Sequence, residues 1–306
     1  MDSKKKKVFI TGCGGMLGEA FYAFFKNKFI VKASDIDVNE EWLSYLDVRD
    51  YSEYRKQALE FKPDICIHLA ALTDLEYCEL HPDEAYATNT TAVENSVLIA
   101  RELGAKLVYI STAGIFNGKQ EYYDDWSSPD PINVYGRAKH MGEVYVEKNY
   151  DKYFVCRAGW MMGGGPTKDK KFVNKIIKQI EEGENNLHVV KDKLGTPTYT
   201  HDFARNVFEL LKTEFYGLYN MVCGGDCSRY DVAEEIVKIL NRNDSVKVSK
   251  VGSDYFSKEY FAPRPDSEKL LNMKLAQRNI DIMGDWKGKL REYLECYFKH
   301  LIVEEV

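Results

Sequence analysis

A tyrosine and a lysine four positions apart, Tyr135 and Lys139, are the residues in this chain best suited to proton transfer. Side chains four residues apart lie on the same face of a helix, so a helical segment here would place the phenol beside the ammonium. A neighbouring positive charge favours the ionised phenol and lowers its pKa, which predicts a proton donor usable near neutral pH. The hydroxyl of Thr112, at the end of an apolar run, would complete a site that polarises a carbonyl group.

A glycine-rich turn near the start of the chain indicates the kind of cofactor that this site would use. Residues 7–11 form an apolar run typical of a buried strand, and they lead into Gly12, Gly15 and Gly18, with Gly14 as a fourth glycine. An amphipathic stretch follows, and strand, glycine turn and helix is the order in which a dinucleotide-phosphate loop is built. The glycines allow a tight turn, a close approach of the backbone to a pyrophosphate, and close helix–strand packing.

An acidic residue about 20 positions beyond such a turn accepts hydrogen bonds from the adenosine ribose. Asp35, at the end of the second apolar run, is the favoured candidate, and Asp37 is a near alternative. No arginine or lysine follows at once to receive a 2′-phosphate. The sequence therefore favours NAD(H) slightly over NADP(H).

Six apolar runs alternate with helical patterns in the first half of the chain. We predict strands at 7–11, 29–34, 46–50, 64–71, 105–111 and 153–157. Helices are predicted through about residue 28, up to 61, over 82–103 and around Tyr135, and later ones near 230–240 and over 286–300. This alternation predicts an α/β fold, a doubly wound parallel sheet of Rossmann type. Functional side chains gather at the carboxyl ends of such strands, and Ser111 and Thr112 lie at one of these ends. His68 lies within an apolar run and is interpreted as a core histidine.

The composition changes after Arg157. We predict a dinucleotide-binding domain over residues 1–158 and a smaller, mostly substrate-binding α/β domain over 159–306, with some segments returning to the first domain. Lys171 belongs to a lysine cluster that opens a helix and either lies on a solvated face or holds a diphosphate. Arg264 lies between two prolines on a stiffened loop suited to bidentate phosphate recognition.

The bulk properties exclude several classes of protein. With 306 residues, 44% hydrophobic and 29% charged, the chain is typical of a soluble globular protein with a sizeable core. The net charge of −6 argues against binding nucleic acid or an anionic membrane, and no stretch approaches the roughly 18 apolar residues of a membrane span. Seven scattered cysteines predict reduced, mostly buried thiols and a cytoplasmic location. No cluster of ligands predicts a metal site, and a homodimer is compatible with the sequence.

Together these features resemble the extended short-chain dehydrogenase/reductase superfamily. Within it, motifs spread over nearly the whole chain are similar to those of the dTDP-4-dehydrorhamnose reductases. The motifs are Ser111-Thr112-Ala113-Gly114-Ile115-Phe116-Asn117-Gly118, Tyr135-Gly136-x-x-Lys139-x-x-Gly142-Glu143, Arg157-x-Gly159-Trp160, Gly195-Thr196-Pro197-Thr198 with Asp202, and Ala262-Pro263-Arg264-Pro265-x-Ser267.

The resemblance implies an NAD(P)H-dependent reductase of the C4 ketone of a nucleotide-diphospho-4-keto-6-deoxy sugar, with dTDP-4-dehydro-L-rhamnose as the nearest example. It implies that Tyr135 is the general acid, that Lys139 lowers its pKa and binds the nicotinamide ribose, and that Thr112 polarises the carbonyl. The implied cofactor contacts are Gly12, Gly14, Gly15, Met16, Leu17, Gly18, Asp35, Asp47, Val48, Ala70, Ala71, Thr73, Asn89, Tyr135 and Lys139. The implied substrate contacts are Thr73, Ser111, Thr112, Tyr135, Trp160, Lys171 and Arg264.

One departure from the resemblance bears on the sugar. Ala113 and Gly114 stand where these reductases usually carry an acid and an aromatic residue, so the resemblance implies the chemistry without fixing the sugar. The same pair supplies no acid or base of the kind that a dehydratase needs. Two alternatives stay open: another nucleotide-sugar reductase or epimerase, and a non-catalytic role like that of the regulatory subunit of methionine adenosyltransferase.

Overall fold

A computed structural model describes residues 5–303 of the chain. The strands are β1 (Lys7–Thr11), β2 (Ile30–Asp35), β3 (Leu43–Tyr45), β4 (Ile65–His68), β5 (Lys106–Thr112), β6 (Tyr153–Ala158), β7 (Trp160–Met162), β8 (Asn186–Val190), β9 (Leu194–Gly195), β10 (Pro197–Tyr199), β11 (Gly217–Asn220), β12 (Cys227–Ser228), β13 (Lys247–Val251) and β14 (Ser267–Glu268). The helices are α1 (Met16–Phe25), α2 (Tyr51–Phe61), α3 (Leu75–Leu80), α4 (Pro82–Tyr86), α5 (Ala92–Leu103), α6 (Val134–Asn149), α7 (Gly165–Lys168), α8 (Phe172–Glu181), α9 (Thr200–Leu211), α10 (Arg229–Ile239), α11 (Met273–Gln277) and α12 (Trp286–Tyr297). A π-helical turn spans Ala87–Thr91, and 3₁₀ turns span Ala113–Ile115, Ser253–Phe256 and Lys299–Leu301.

A seven-stranded parallel sheet forms the centre of the molecule, in the order β11-β6-β5-β4-β1-β2-β3. The direction of strand addition reverses beside β1, and a crevice opens at the carboxyl ends of strands at such a point. The predicted fold class, an α/β protein with a doubly wound Rossmann-type sheet, is confirmed.

Helices cover both faces of this sheet. On one face, α1 and α9 pack together through rings such as Phe21 and Phe203, whose centroids lie 6.4 Å apart. On the other face, α2 and α5 contribute Tyr54 and Val97 to two further apolar clusters. Because both faces are covered, the strands read as continuous apolar runs, as parallel strands do.

The last third of the chain divides between this sheet and a second apolar core. Strand β11 joins the edge of the large sheet, while α8, α10 and α12 surround a separate cluster with Ile177, Ile236 and Leu290 at its centre. Three small sheets, β10-β7, β12-β9-β14 and β13-β8, complete this part. The domain boundary at residue 158 stays a prediction, and its outer limits, residues 1 and 306, lie outside the described residues.

One predicted strand is wrong. The third strand is β3, and residues 46–50 follow it as a loop in which Leu46 and Val48 are buried. Two side-chain interactions compete with strand pairing there. Asp47 accepts hydrogen bonds from Arg49, and Asp50 caps α2 by accepting a hydrogen bond of 3.0 Å from the backbone N–H of Glu53.

Two predicted helices differ in detail. The helix expected over residues 82–103 is interrupted by the π-helical turn at Ala87–Thr91, and such turns are frequent at functional sites. The helix expected to reach residue 300 ends at Tyr297, before the 3₁₀ turn Lys299–Leu301.

Candidate active site

The glycine turn joins β1 to α1 at the carboxyl edge of the sheet. Gly12 has a φ of 72°, and a Cβ there would lie 2.2 Å from the backbone N of Ala70, so only glycine fits. A Cβ on Gly18 would lie 2.2 Å from the carbonyl oxygen of Cys13, so this glycine allows close helix–strand packing. The Cβ position of Gly15 has no other atom within 4 Å, and this residue begins α1 without a side-chain cap. The open helix N-terminus is therefore suited to bind a pyrophosphate.

Asp35 lies at the end of β2 and is hydrogen-bonded directly to the glycine turn. Its Oδ2 accepts a hydrogen bond of 2.8 Å from the backbone N–H of Gly14, and its Oδ1 accepts one of 2.9 Å from the N–H of Asp37. The side chains of Met16 and Leu17 are buried in the first turn of α1, so only their backbone groups are available to a phosphate there. These residues occupy the positions from which the sequence predicts contacts to a dinucleotide.

Asp47 and Val48 follow β3 near the same edge. The Asp47 carboxylate accepts hydrogen bonds of 2.7–3.0 Å from the Arg49 guanidinium. Val48 is buried, and its carbonyl accepts a hydrogen bond of 3.0 Å from Nδ2 of Asn95. The structure thus gives both residues protein partners, and their contact with a cofactor stays a prediction.

The loop after β4 carries Ala70, Ala71 and Thr73, and Asn89 fixes it from behind. Asn89 Oδ1 accepts a hydrogen bond of 2.9 Å from the Leu72 N–H, and its Nδ2 donates one of 2.9 Å to the Leu72 carbonyl. Both ends of this buried amide are therefore engaged with Leu72, so the π-helical turn holds the loop. The predicted contact of Asn89 with a cofactor stays a prediction.

Helix α6 carries the tyrosine and the lysine, and its start is fixed by two residues. Asn133 caps it by accepting a hydrogen bond of 2.7 Å from the backbone N–H of Gly136. A Cβ on Gly136 would lie 2.3 Å from the Gly114 carbonyl oxygen, so the missing side chain lets α6 approach the turn after β5 closely. This approach brings Tyr135 beside Thr112, and both side chains are partly buried.

The pKa of Tyr135 differs from the expectation. Burial raises it to about 12, and the neighbouring Thr112 hydroxyl opposes this increase only in part. The prediction that Lys139 lowers the pKa of Tyr135 is therefore corrected for the protein without a cofactor. The physical reason is that removing the phenol from water disfavours its charged form more strongly than the surrounding groups favour it.

Lys139 is buried directly behind the site. Its Nζ donates a hydrogen bond of 2.6 Å to the carbonyl of Ile110 and lies 4.3 Å from the ring centroid of Tyr109. Burial lowers the pKa of this ammonium to about 7, although the Glu143 carboxylate opposes the shift. The spacing of four residues is confirmed to place both side chains on one helix face, but the ammonium is directed at the strand backbone.

Glu143, one helical turn beyond Lys139, forms a buried ion pair with Arg157. Two hydrogen bonds of 2.9 Å join the guanidinium to the two carboxylate oxygens. Burial alone would raise the pKa of Glu143, but Arg157 lowers it to about 2. The Ser111 hydroxyl is buried beside this carboxylate, and the predicted substrate contact of Ser111 stays a prediction.

Trp160, the first residue of β7, belongs to a cluster contributed by distant segments. Its indole N–H donates a hydrogen bond of 2.8 Å to Oε2 of Glu268 in β14. The guanidinium of Arg229, the first residue of α10, lies 3.7 Å from the centroid of the Trp160 ring. A planar cation stacked on an aromatic ring keeps its edge free for hydrogen bonds, so this cluster is suited to an anionic ligand.

Two further cations reach the loop region after β4. Lys171 Nζ donates a hydrogen bond of 3.0 Å to Oγ1 of Thr73. Arg264 donates hydrogen bonds of 2.8 and 2.9 Å to the two carboxylate oxygens of Glu76. The structure therefore brings the predicted Thr73, Lys171 and Arg264 to the same side of the molecule and gives each a partner from the other half of the chain.

Sequence reasoning missed three residues here: Glu76, Arg229 and Glu268. None of them lies in a glycine turn, at the end of a predicted strand or in an i, i+4 pair. A local signal exists only for Arg229, which follows the Ser228 capping residue of α10. Their shared feature is spatial, because each contacts a predicted site residue more than 65 positions away.

His68 is a core histidine, as predicted. Its Nδ1 lies 2.8 Å from the Ser96 hydroxyl and 3.1 Å from that of Thr11, and burial lowers its pKa to about 3. Six of the seven cysteines are buried and only Cys296 is exposed, which confirms mostly buried thiols. Within residues 5–303, no group of three His, Cys, Asp or Glu side chains is arranged to hold a metal ion. No helix in that range has the length and apolar character needed to cross a bilayer.

The parallel sheet, the glycine turn and the Thr112, Tyr135 and Lys139 cluster define an α/β protein like the extended short-chain dehydrogenases/reductases. The chain belongs to the RmlD substrate binding domain family, whose model matches residues 6–298.

Individual relatives agree with this membership over almost their whole length. The chain is 30% identical to the spore coat polysaccharide biosynthesis protein SpsK of Bacillus subtilis, covering 94% of this chain and 97% of SpsK. It is 26% identical to methionine adenosyltransferase 2 subunit beta of Xenopus laevis, covering 89% and 84%. A dTDP-4-dehydrorhamnose reductase from Clostridium acetobutylicum superposes with a TM-score of 0.87 at 32% identity, covering 95% and 99%. The Bacillus anthracis reductase of the same name, solved in complex with NADP, gives 0.87 at 31%, with the same coverage.

Proposed function

We propose that this protein is an NAD(P)H-dependent reductase of the C4 ketone of a nucleotide-diphospho-4-keto-6-deoxy sugar, with dTDP-4-dehydro-L-rhamnose as substrate and dTDP-L-rhamnose as product. The observation that carries this proposal is the meeting of Thr112 and Tyr135 at the carboxyl edge of the sheet, beside the glycine turn. The reductases to which the chain is similar support the choice of substrate.

A nicotinamide dinucleotide fits the residues of this edge. The turn from Gly12 to Gly18 supplies a close backbone approach and an open helix N-terminus for the pyrophosphate, and Asp35 supplies a ribose acceptor. When bound, the cofactor supplies the hydride that reduces the carbonyl carbon.

The protein supplies the proton and the polarisation of the ketone. Tyr135 donates its hydroxyl proton to the carbonyl oxygen as the alcohol forms, and the Thr112 hydroxyl donates a hydrogen bond to the same oxygen. The raised pKa of Tyr135 keeps the phenol protonated and ready to donate near neutral pH. Lys139 is held by the Ile110 carbonyl one helical turn from Tyr135, and its protonated form would stabilise the phenolate left after donation.

Cations on the substrate side fit a diphosphate. Lys171, Arg229 and Arg264 bring three cationic side chains near one another, and Trp160 presents an aromatic face there. Arg264 is paired with Glu76, and Arg229 lies near Glu268. Arginine recognises phosphate oxygens through paired N–H groups. The overall charge of −6 makes this local cluster the feature that would attract an anionic nucleotide-sugar.

The choice between NADH and NADPH rests on the rim beyond β2. Asp35 and Asp37 favour a free ribose over a 2′-phosphate, because like charges repel. However, Lys168 pairs with Glu40 at 2.8 Å near this rim, which offers a cation from a distant segment. We keep the slight preference for NAD(H) as part of the proposal, and both cofactors belong in the assay.

The test is oxidation of NADH and of NADPH at 340 nm with dTDP-4-dehydro-L-rhamnose, with the product identified by NMR. Consumption of cofactor and formation of dTDP-L-rhamnose in equal amounts are expected. Cofactor binding without oxidation would reject the dTDP-rhamnose assignment, and other 4-keto nucleotide sugars would then be assayed to separate a different reductase or epimerase from an inactive protein.

A non-catalytic role is the second candidate, and it is favoured by the similarity to a methionine adenosyltransferase regulatory subunit over most of the chain. It predicts a stable complex with a catalytic methionine adenosyltransferase subunit and no turnover of any keto-sugar. Size-exclusion chromatography of a mixture of the two proteins distinguishes the candidates, because the reductase hypothesis predicts separate elution.

A further inference from the structure

Glu268 is a carboxylate held inside the candidate site by a single, well-defined contact. It lies in β14, which pairs with β9 in parallel register, so its backbone is fixed within the β12-β9-β14 sheet. Its Oε2 accepts the hydrogen bond from the Trp160 indole at 2.8 Å. Its other oxygen, Oε1, accepts no hydrogen bond from any residue in the range 5–303 that the structure describes.

The free oxygen faces a gap that Gly114 leaves open. A Cβ placed on Gly114 would lie 3.5 Å from Oε1 of Glu268, 3.5 Å from Oγ1 of Thr112 and 3.6 Å from Cε1 of Tyr135. A carboxylate oxygen, a hydroxyl and the ring of the proton donor therefore surround one point. No side chain fills that point, because residue 114 is glycine.

We propose that Glu268 determines substrate specificity by accepting a hydrogen bond from the hydroxyl next to the reacting ketone. This inference rests on the proposed function, because it deepens the description of the same site. In a 4-keto-6-deoxy sugar, the ketone carbon has a hydroxyl-bearing carbon on one side, C3, and the methyl-bearing C5 on the other. Oxygens on adjacent ring carbons lie within hydrogen-bonding distance of each other. A ketone bound by Thr112 and Tyr135 thus brings the C3 hydroxyl to the free oxygen of Glu268.

The charge and geometry of the cluster suit this role. A carboxylate has only acceptor sites, so Oε1 selects a donor such as a hydroxyl and disfavours an apolar group. The Arg229 guanidinium, stacked on Trp160, lies close enough to partly balance the negative charge. The turn after Thr112 carries only Ala113 and Gly114 and so supplies no acid. Glu268, from a distant segment, therefore supplies the acidic side chain of this site.

The experiment measures binding, so that it does not depend on turnover. Isothermal titration calorimetry compares dTDP-L-rhamnose with its 3-deoxy analogue on wild type, Glu268→Ala and Glu268→Gln. We expect wild type to prefer the hydroxyl-bearing sugar by about 10-fold to 100-fold, the range for a hydrogen bond to a charged group. Glu268→Ala should erase this preference by weakening only the hydroxyl-bearing sugar. Glu268→Gln, whose amide oxygen can still accept from Trp160, should reduce the preference while keeping the fold.

Equal weakening of both sugars by Glu268→Ala would overturn the proposal, because it would mean that the carboxylate only supports Trp160. Equal binding of both sugars to wild type, or binding of neither, would overturn it as well. Asp266→Asn, two residues away and paired with Lys193 near solvent, is the matched control and should leave both affinities unchanged. Failure of the proposed function is distinguishable, because it appears as missing cofactor oxidation at 340 nm while the affinities are measured separately.

Discussion

The two sides of the candidate site are built in different ways. On the cofactor side, backbone geometry dominates, with Gly12 and Gly18 in positions where any Cβ would meet other backbone atoms. On the substrate side, side chains from distant segments meet in pairs such as Arg264–Glu76 and Trp160–Glu268.

This difference indicates how each side responds to a ligand. Close-packed backbone deforms little, so the cofactor side is preorganised. Ion pairs that are partly exposed contribute little to stability, so the side chains of Arg264 and Glu76 can change partners at low cost. The proposed function therefore assigns the chemistry to the first side and the selection of the sugar to the second side. The four predictions that follow test this division, from the largest expected effect to the smallest.

Breaking the buried ion pair behind the catalytic helix should have the largest effect on folding. Glu143→Gln leaves the Arg157 guanidinium buried without a countercharge, which costs about 3–5 kcal/mol of unfolding free energy. Urea denaturation measures this loss. The exposed pair Arg55–Glu102, at 2.8 Å, supplies the control, because Glu102→Gln should cost much less than Glu143→Gln. Equal losses in the two variants would contradict the assigned burial.

Adding a methyl group to the first glycine of the turn should be almost as damaging. In Gly12→Ala, a left-handed backbone conformation combines with a Cβ 2.2 Å from the Ala70 nitrogen, and we expect a loss of about 3 kcal/mol. Gly104→Ala is the control, since Gly104 has a φ of 65° but no atom within 4 Å of its Cβ position. That variant should lose only about 1 kcal/mol. Thermal unfolding of both variants tests whether close approach, and not φ alone, requires glycine.

The core histidine behind the cofactor side should make the protein sensitive to acid. Burial lowers the pKa of His68 to about 3 from an ordinary value of 6.5, so the unfolded chain binds one more proton between these two pH values. Stability is therefore complete above pH 6.5 and falls as the pH decreases, by up to about 1.4 kcal/mol per pH unit. His68→Asn should flatten this slope in urea denaturation measured from pH 7 to 4. His300→Asn, at an exposed position, should leave the slope as it is in wild type.

On the substrate side, removing a cation should change the stability little and the affinity for the nucleotide sugar more, as measured by urea denaturation and by titration calorimetry. Arg264→Ala removes a partly exposed pair and should cost at most about 1 kcal/mol of unfolding free energy. Loss of a phosphate contact should nevertheless raise the Kd of dTDP-L-rhamnose about tenfold or more. A fall in stability without a change in affinity would indicate that Arg264 only joins the two halves of the chain.

The cofactor side could largely be predicted from the sequence because its signals are local. The glycine spacing, the strand ending at Asp35 and the four-residue spacing of Tyr135 and Lys139 each lie within one short segment. The third strand could not be predicted, because the hydrogen bonds from Arg49 to Asp47 and the cap formed by Asp50 outweigh an apolar pattern. The surroundings of Ser111 and Asn89 could not be predicted either, because they depend on contacts with Glu143 and Leu72 that form on folding.

The substrate side depends on contacts between segments far apart in the chain. Glu268 lies in β14 and Arg229 follows β12, and both contact Trp160 from far away in the chain, so no spacing within a short segment indicates them. The prediction that the pKa of Tyr135 is lowered is wrong for a related reason. A sequence shows that a cation is near in the chain, but it does not show how much water the phenol loses on folding.

The central claim is that Tyr135 donates the proton in a site arranged by a preformed cofactor side. The direct test is Tyr135→Phe, with Tyr145→Phe on the same helix as control, in assays of NAD(P)H oxidation with dTDP-4-dehydro-L-rhamnose and of cofactor binding by fluorescence. We predict that kcat falls about 1,000-fold or more in Tyr135→Phe, while the cofactor Kd stays close to that of wild type and Tyr145→Phe remains active. Turnover of Tyr135→Phe at the wild-type rate would contradict the account.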